Sequence, residues 1–228
     1  MACGPRPDFQ IATDKSPGAV WKGFKDRYAG ITSLAISGKL IIRTHKVFEC
    51  KLEIGFIRPD SICFFAEGPL GVDLAQGYLI GDSGMVDFPK SDTRQKFSSR
   101  DYLYIEQEDI AIPIGALQLG LVFFANSCSA NYMGGSGETY RYDCRANDHQ
   151  GSFFIDRDRC LPGSRLLIIG ADTARTEYSH WRTFDGGLIF PQVVKIIIPN
   201  LPLNLEIRSS RIEARFVFPK SLFKNKLN

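Results

Sequence analysis

The stretch FECKLEIGFIRPDSICFFAEGPLG, residues 48–71, decides the fold class of this chain. Apolar side chains occupy every second position of its first part, and polar ones mostly fill the positions between them. Because side chains alternate between the two faces of a strand, this pattern predicts a strand with one apolar face. Turn residues at 58–61 then lead into Ile62–Phe65, which we predict as the antiparallel partner. The apolar face needs a cover, either the protein's own core or an apolar ligand.

The segments before this stretch predict a helix and a further strand. Ser16 followed by Pro17 is typical of a helix start, and apolar residues at helical spacing continue from Val20 to Tyr28 before Gly30 ends the helix. Alternation returns over residues 34–43, so a strand there joins the predicted hairpin as a meander.

Most of the remaining chain also alternates. Met85–Phe88 is a predicted strand after a turn at Asp82–Gly84, whereas residues 89–101 and 125–138 are predicted loops and Ile114–Phe124 a short buried helix or a strand. The later predicted strands are Thr139–Arg145, Gly151–Asp156, Leu166–Gly170, Glu177–Phe184, Gly187–Ile198 and Leu203–Phe218. In the last of these the apolar positions change from odd to even numbers, which predicts a bulge near Ser209–Arg211.

These elements predict a mainly β fold of the α+β class, a single antiparallel sheet of about ten strands with up to two helices. A sheet that long must curl. We assign residues 18–228 to one domain and residues 1–17, which contain Pro5, Pro7 and Pro17, to an N-terminal tether.

The composition narrows the function classes. A net charge of +3 with both signs interleaved does not favour nucleic acid as a partner. The chain contains no run of about 18 apolar residues that would span a bilayer. Seventeen phenylalanines nevertheless require a large apolar surface, buried or facing a ligand.

No catalytic constellation is evident in the sequence. His45, His149 and His180 have no metal-ligand spacing, and no nucleophile elbow or phosphate-binding loop is present. We therefore predict that the chain is not an enzyme and needs no cofactor or metal. An unrecognised hydrolase or glycan-binding module, with function in the 125–138 loop, is a remaining alternative.

The six cysteines show no C-x-x-C spacing. Cys3 follows a small residue, as the lipidated cysteine of a bacterial lipoprotein does, and we interpret it as a lipidation site, with an ordinary N-terminal cysteine as the alternative. Cys50 and Cys63 are predicted core residues. In an oxidising compartment Cys144 would pair with Cys160 or Cys128.

The order of several motifs resembles the LolA/LolB superfamily of bacterial lipoprotein carriers and acceptors, particularly its LolB-like outer-membrane branch. An aromatic-bearing first helix is followed by LAISGKLIIR (34–43), the hairpin ending in GPLG (68–71) and a turn at 81–86. IPIGALQLGL (112–121) and YSHWRTFDGGLIFPQVVKI (178–196) complete the resemblance, which spans residues 21 to about 218.

The resemblance implies a strongly curved antiparallel sheet that forms an incomplete barrel, with a few helices closing its concave side around a cavity for acyl chains of lipids or lipoproteins. It also implies that Leu70, in the Pro-Leu-Gly loop, projects from the barrel and helps deliver cargo to the membrane. The residues that we expect to line the cavity are Leu40, Ile42, Phe48, Leu52, Ile54, Phe56, Phe64 and Trp181.

The same resemblance implies a periplasm-facing protein anchored to the outer membrane through lipidated Cys3, with a periplasmic carrier protein as a possible partner. A structural or assembly scaffold on the same fold, whose core is filled by its own phenylalanines and which binds proteins, is the alternative.

Overall fold

The computed structural model describes residues 12–57, 61–98, 102–105, 110–113, 129–146, 149–169, 172–201 and 203–214. Within them the chain forms one α-helix, a sheet of thirteen antiparallel strands that does not close into a barrel, and a separate two-stranded hairpin. The predicted fold class, a curved antiparallel sheet forming an incomplete barrel, is confirmed.

Helix α1 (Pro17–Tyr28) begins where the sequence predicted. The Ser16 side chain accepts a hydrogen bond from the Ala19 backbone N–H, and Pro17 occupies the first helical position. Val20, Phe24 and Tyr28 are buried, which is the apolar stripe expected from their spacing.

The first half of the sheet is a meander in which each strand pairs with the next along the chain. Its strands are β1 (Ser33–Arg43), β2 (Val47–Ile57), β3 (Ser61–Glu67), β4 (Asp73–Ile80), β5 (Ser83–Phe88) and β6 (Thr93–Ser98). The separate hairpin follows as β7 (Tyr102–Ile105) and β8 (Ile110–Pro113).

The second half of the sheet is another meander, running from one edge back to the centre. Its strands are β9 (Ser129–Ser136), β10 (Thr139–Ala146), β11 (His149–Asp156), β12 (Leu161–Ile169), β13 (Asp172–Thr183), β14 (Ile189–Ile198) and β15 (Leu203–Ala214). Strand β15 pairs with β1, so the spatial order runs from β6 through β1 and β15 to β9.

One face of this sheet, which we call the inner face, carries most of the hydrophobic core. In the centre the cross-strand pairs Leu34–Phe56, Ile36–Ile54 and Leu40–Cys50 join β1 to β2 on this face. Helix α1 packs against the same face on the β10–β11 side, where the Trp21 ring centroid lies 5.1 Å from that of Tyr142. The opposite, outer face carries cross-strand ion pairs such as Lys39–Glu49 at 2.8 Å.

The predicted bulge in the last strand is confirmed. Ser37 pairs with Arg211 but Gly38 pairs with Ser209, so Ser210 is an extra residue on β15. The Ser210 hydroxyl donates a hydrogen bond to the Ser37 carbonyl oxygen at 3.0 Å. One inserted residue moves every later side chain to the other face, which explains the change from odd to even apolar positions.

Two predicted loops contain strands instead. Residues 93–98 form β6 and residues 129–136 form β9, and these are the strands at the two ends of the sheet. An edge strand meets its sheet on one side only and can be polar or glycine-rich, so neither segment has the alternation on which the prediction depended. The turn after β4 also lies earlier than predicted, because Ser83 and Gly84 already belong to β5.

The predicted disulfide between Cys144 and Cys160 does not form, since both residues are buried thiols. Cys160 has a left-handed backbone with φ of 52°, and its Sγ lies against α1, 3.0 Å from the position that a Cβ on Gly23 would occupy. Cys128, the other predicted partner, and the segment Ile114–Phe124 lie outside the described residues.

Candidate functional site

Five of the eight predicted lining residues form one patch in the centre of the inner face. Leu40 and Ile42 on β1 and Leu52, Ile54 and Phe56 on β2 all point to this face, as the register of the two strands requires. Their exposed fractions lie between 1% and 8%. In this conformation the patch is covered by protein, so each of the five is also a core residue.

Phe48, Phe64 and Trp181, the other three, are half-buried and pack against the edge of the core. Phe48 lies opposite Ile42, and Phe64 lies opposite Ile54, so both extend the central patch. Trp181 lies on β13, separated from β1 by β14 and β15. These three are the predicted lining residues that a ligand could contact first.

An irregularity in β13 gives Trp181 its position. His180 has a left-handed backbone with φ of 54°, and Trp181 pairs with Pro191 of β14. The Trp181 ring centroid lies 6.4 Å from that of Tyr178, although the two residues are three positions apart and strict alternation would place them on opposite faces. The sequence pattern alone does not reveal this break.

Leu70 is fully exposed to solvent. It lies in the single helical turn Pro69–Gly71 between β3 and β4, with a left-handed backbone of φ 64° and ψ 19°. The turn is closed by a hydrogen bond from the Gly68 N–H to the Val72 carbonyl oxygen at 2.8 Å. The Leu70 side chain therefore projects from the protein surface, in a backbone conformation that leucine rarely adopts.

Aromatic residues between α1 and the sheet form a second cluster that the sequence did not predict. The Phe24 and Phe153 centroids are 5.5 Å apart, and Trp21 contacts both Tyr142 and Phe153. Tyr142 donates its hydroxyl proton to the Pro17 carbonyl oxygen at 2.7 Å. Tyr140 and Tyr142 are two positions apart on one strand and therefore share a face, so the sequence did contain a pattern that indicates an aromatic inner face on β10.

The described part of the predicted N-terminal tether is bonded to the body. The Ala12 N–H donates to the Asp158 carbonyl oxygen at 2.8 Å, and Lys15 forms an ion pair with the Asp158 carboxylate at 2.8 Å. Tyr140 donates to the Lys15 carbonyl oxygen at 3.0 Å. An N-terminal tether can therefore extend no further than residue 11, and Cys3 lies outside the described residues.

Arg165 is a charged residue on the inner face that the sequence prediction missed. It lies on β12 opposite Phe153 and Thr176, and it is buried. The predicted strand began at Leu166, five residues after the observed start at Leu161, and so left Arg165 out. Leu167 lies on the apolar face, and side chains two positions apart on a strand share a face. Extending the predicted strand back to residue 165 would therefore have placed Arg165 on the apolar face.

Two thiols and two tyrosine hydroxyls in the core have a raised pKa. Burial raises the pKa of the Cys50 thiol to about 11 and that of Cys63 to about 12. Burial likewise raises the pKa of the Tyr28 and Tyr178 hydroxyls. Because the thiolate is the reactive form of cysteine, Cys50 and Cys63 are poor nucleophiles in this fold.

The described residues include no group of three or more histidine, cysteine or acidic side chains that could hold a metal ion. In the same part of the chain, no helix has the length and apolar character needed to cross a membrane.

No family model matches the sequence, and no curated protein matches it. Among the solved structures that are similar in fold, three each share 11% sequence identity with this chain. A domain from Vibrio parahaemolyticus, assigned to outer membrane lipoprotein sorting, has a TM-score of 0.64, and the match covers 90% of this chain and 94% of that one.

A DUF1329 family protein from Desulfovibrio piger has a TM-score of 0.66, with 91% and 97% of the two chains covered. A LolA superfamily protein from Nitrosomonas europaea has a TM-score of 0.62, with 89% and 96% covered. At this identity the likeness concerns the fold, and it extends over almost the whole of each chain. The chain therefore has the LolA/LolB-like fold that the order of its sequence motifs predicted.

Proposed function

We propose that this chain is a non-enzymatic protein that holds acyl chains of lipids or lipoproteins against the inner face of its open sheet. The observation that carries this proposal is the mostly apolar inner face of a thirteen-strand sheet that does not close into a barrel. An acyl chain needs a concave apolar surface and few polar contacts, because each buried methylene contributes about 0.8 kcal/mol. The similarity in fold to a lipoprotein-sorting domain and a LolA superfamily protein supports this reading.

The proposed ligand enters at the rim of the central patch. Phe48 and Phe64 are half-buried there, whereas Leu52, Ile54 and Phe56 behind them are covered. An acyl chain that reaches the covered residues must displace whatever lies over them. Binding and opening are therefore coupled in this proposal, and the affinity is reduced by the cost of opening.

The projecting Leu70 is the proposed membrane contact. An exposed apolar side chain on a fixed loop can enter the interfacial region of a bilayer without a change in the fold, which suits a role in passing acyl chains between protein and membrane. We further propose that the protein works at the periplasmic side of the outer membrane, anchored through Cys3, and that it receives cargo from a periplasmic carrier protein.

A scaffold with a filled core is the second candidate, and a specific observation favours it. Leu40, Ile42, Leu52, Ile54 and Phe56 are all covered in this conformation, as the residues of a permanently filled core would be. Such a protein would use its surface to bind other proteins and would not take up lipid.

Mass spectrometry of the gently purified chain, with solvent extraction of the material that accompanies it, separates the two candidates. The lipid-binding proposal expects about one acyl-chain molecule per protein, or uptake to that level when delipidated protein is incubated with a fatty acid or a lipopeptide. A ligand-free mass with no uptake of either compound would reject it in favour of the scaffold.

A further inference from the structure

Arg165 places a positive charge inside the apolar face. Its exposed fraction is 4%, and its guanidinium carbon lies 4.5 Å from the centroid of the Phe153 ring, the distance of a cation–π contact. Phe153 in turn packs against Phe24 of helix α1. The charge therefore lies on β12, beside the aromatic cluster through which α1 packs on the sheet.

The outer face carries a separate network of charges. Among the described residues, the other buried charged side chain is Glu206, whose carboxylate lies 3.7 Å from Arg43 and 4.0 Å from Lys195 and also pairs with Arg208. All four groups are on the outer face, as the β1–β15 and β14–β15 registers require. The thickness of the sheet separates this network from Arg165.

Two polar neighbours accompany Arg165 on the inner face. Thr176 lies directly opposite it on β13 and is completely buried. Tyr178 lies two residues further along the same face of β13, where burial raises the pKa of its hydroxyl and the Arg165 charge and the Thr176 side chain partly oppose that rise. The Thr176 Oγ1 forms no hydrogen bond of ordinary geometry within the described part of the chain. A guanidinium and two hydroxyls thus form a small polar cluster on a face that is otherwise mostly apolar.

This cluster has the chemistry of a receptor for an anionic head group. A guanidinium carries five N–H donors in a planar fork that matches the two oxygens of a carboxylate or a phosphate, and threonine and tyrosine hydroxyls can donate further hydrogen bonds. Stacking on Phe153 uses the flat face of the guanidinium, and donation to an anion uses its edge.

The position of the cluster suits a ligand with one long chain. On the inner face, Thr176 pairs with Ile196, Ile196 with Leu205 and Leu205 with Ile42. Four strand spacings of about 4.8 Å separate β12 from β1, or about 19 Å in total, which is the length scale of an extended fatty acyl chain. A head group at Arg165 would let the tail cross the sheet towards the central patch.

We propose that Arg165, assisted by Thr176, binds the anionic head group of a single-chain amphiphile, a long-chain carboxylate or an alkyl phosphate. The inference rests on the proposed function and adds to it the class of ligand. It predicts that affinity depends on the charge of the head group and not on the chain alone.

Equilibrium titration of the delipidated full chain with palmitate, methyl palmitate and hexadecyl phosphate at pH 8 tests the proposal. The three probes share a sixteen-carbon chain and differ in the head group. We expect palmitate or hexadecyl phosphate to bind about ten- to a hundredfold more tightly than the ester, since charge-assisted hydrogen bonds are the strong ones. The tighter of the two anions identifies the head-group chemistry.

Variants separate a head-group receptor from a structural arginine. Arg165→Met keeps an apolar stem over Phe153 but removes the charge, and should abolish the preference for the anion over methyl palmitate. Arg165→Lys keeps the charge without the planar fork and should retain part of the preference. Arg175→Met is the matched control, because it removes an exposed arginine from the outer face of neighbouring β13.

The outcomes are distinct. Equal affinity of the wild-type chain for acid and ester, or an anion preference that survives in Arg165→Met, would overturn the head-group proposal and leave acyl-chain binding intact. Failure of all three probes to bind would instead overturn the proposed function. If Arg165→Met does not fold, the wild-type preference and its reduction in Arg165→Lys decide the question.

Discussion

Gly38 on β1 and Arg208 on β15 approach each other so closely that a Cβ atom on Gly38 would lie 2.1 Å from the Arg208 carbonyl oxygen. This contact lies next to the Ser210 bulge, where the first strand along the chain, β1, pairs with the last, β15, in the middle of the sheet. Lack of space, and not an unusual backbone angle, makes glycine necessary at position 38. The β1–β15 pair, which joins the two meanders and which we call the seam, therefore requires a residue without a side chain at position 38.

Replacement of Gly38 by alanine should destabilise the protein. A Cβ at this distance from backbone forces the two central strands apart, and overpacking of this kind costs about 1–3 kcal/mol or more. Gly18 in helix α1 is the matched control, because a Cβ there meets nothing within 4 Å. Gly18→Ala should leave stability unchanged or raise it by up to about 1 kcal/mol. Urea unfolding of both variants measures the difference, and equal midpoints would contradict the role of the seam.

Leu70→Glu should impair membrane transfer without affecting the fold. The Leu70 side chain is fully exposed, so its replacement should change the free energy of unfolding by no more than about 0.5 kcal/mol. A glutamate at the same position cannot enter an apolar layer without a large desolvation cost. Transfer of a fluorescent acyl lipid from the protein to vesicles is the measurement.

Ile80→Glu provides the control for Leu70. Ile80 is half-exposed and lies at the far end of β4, whereas the Leu70 loop lies before the start of the same strand. The proposed membrane contact predicts slow transfer for Leu70→Glu and normal transfer for Ile80→Glu. Equal rates for the two variants and the wild type would show that the projecting loop has no special part in transfer.

The strands that the sequence predicted best are those with one buried and one solvated face. In β2 each side chain from Phe48 to Phe56 follows strict alternation, because the sheet buries only the inner face there. The β15 bulge was also predictable, since an inserted residue reverses the alternation in a way that the sequence itself records. The two edge strands, β6 and β9, were missed because an edge strand needs no such alternation.

The site was predicted less completely than the fold. Periodicity identified the apolar positions of β1 and β2, but it does not say whether a buried position lines a ligand site or belongs to a filled core. Arg165 was missed because its strand begins before Leu166, and the placement of Trp181 depends on a left-handed residue, His180, that interrupts β13. Such features follow from long-range packing, which a local pattern does not contain.

Stability should fall as the pH rises above about 9. Burial raises the pKa of Cys50 to about 11 and that of Cys63 to about 12, so above pH 9 the unfolded chain releases thiol protons that the folded chain retains. The unfolded state then binds fewer protons than the folded state, and the free energy of unfolding decreases with pH until the folded thiols also ionise.

Cys63→Ala should make this decline shallower. The variant loses some packing at every pH, but it removes one thiol from the proton balance, and the slope between pH 9 and 11 is therefore the quantity to compare. Tyrosines with a raised pKa, such as Tyr28, contribute above pH 10 in both proteins. Urea unfolding under reducing conditions at four pH values gives the slopes, and parallel curves for variant and wild type would refute the assignment.

Neighbouring phenylalanines on β3 allow ligand binding to be separated from general apolar packing. Phe64 points to the inner face, where it pairs with Ile54, and Phe65 points to the outer face, where it pairs with Glu53. Both are half-buried. We expect Phe64→Glu to reduce acyl-chain uptake strongly, because a carboxylate at the rim would have to be desolvated by the chain, whereas Phe65→Glu should bind as the wild type does.

Fold integrity decides how this comparison is interpreted. Circular dichroism and urea unfolding should show that both variants retain the sheet, and Phe48→Gln provides a milder change at the same rim if Phe64→Glu is too unstable. Leu52→Glu, in the covered patch behind the rim, should prevent folding altogether. The Leu52 side chain is only 4% exposed, so a glutamate at this position would have to bury its charge. If Phe64→Glu folds and takes up acyl chains as well as Phe65→Glu does, the inner rim of β3 is not the entrance and the filled-core scaffold becomes the better account of the central patch.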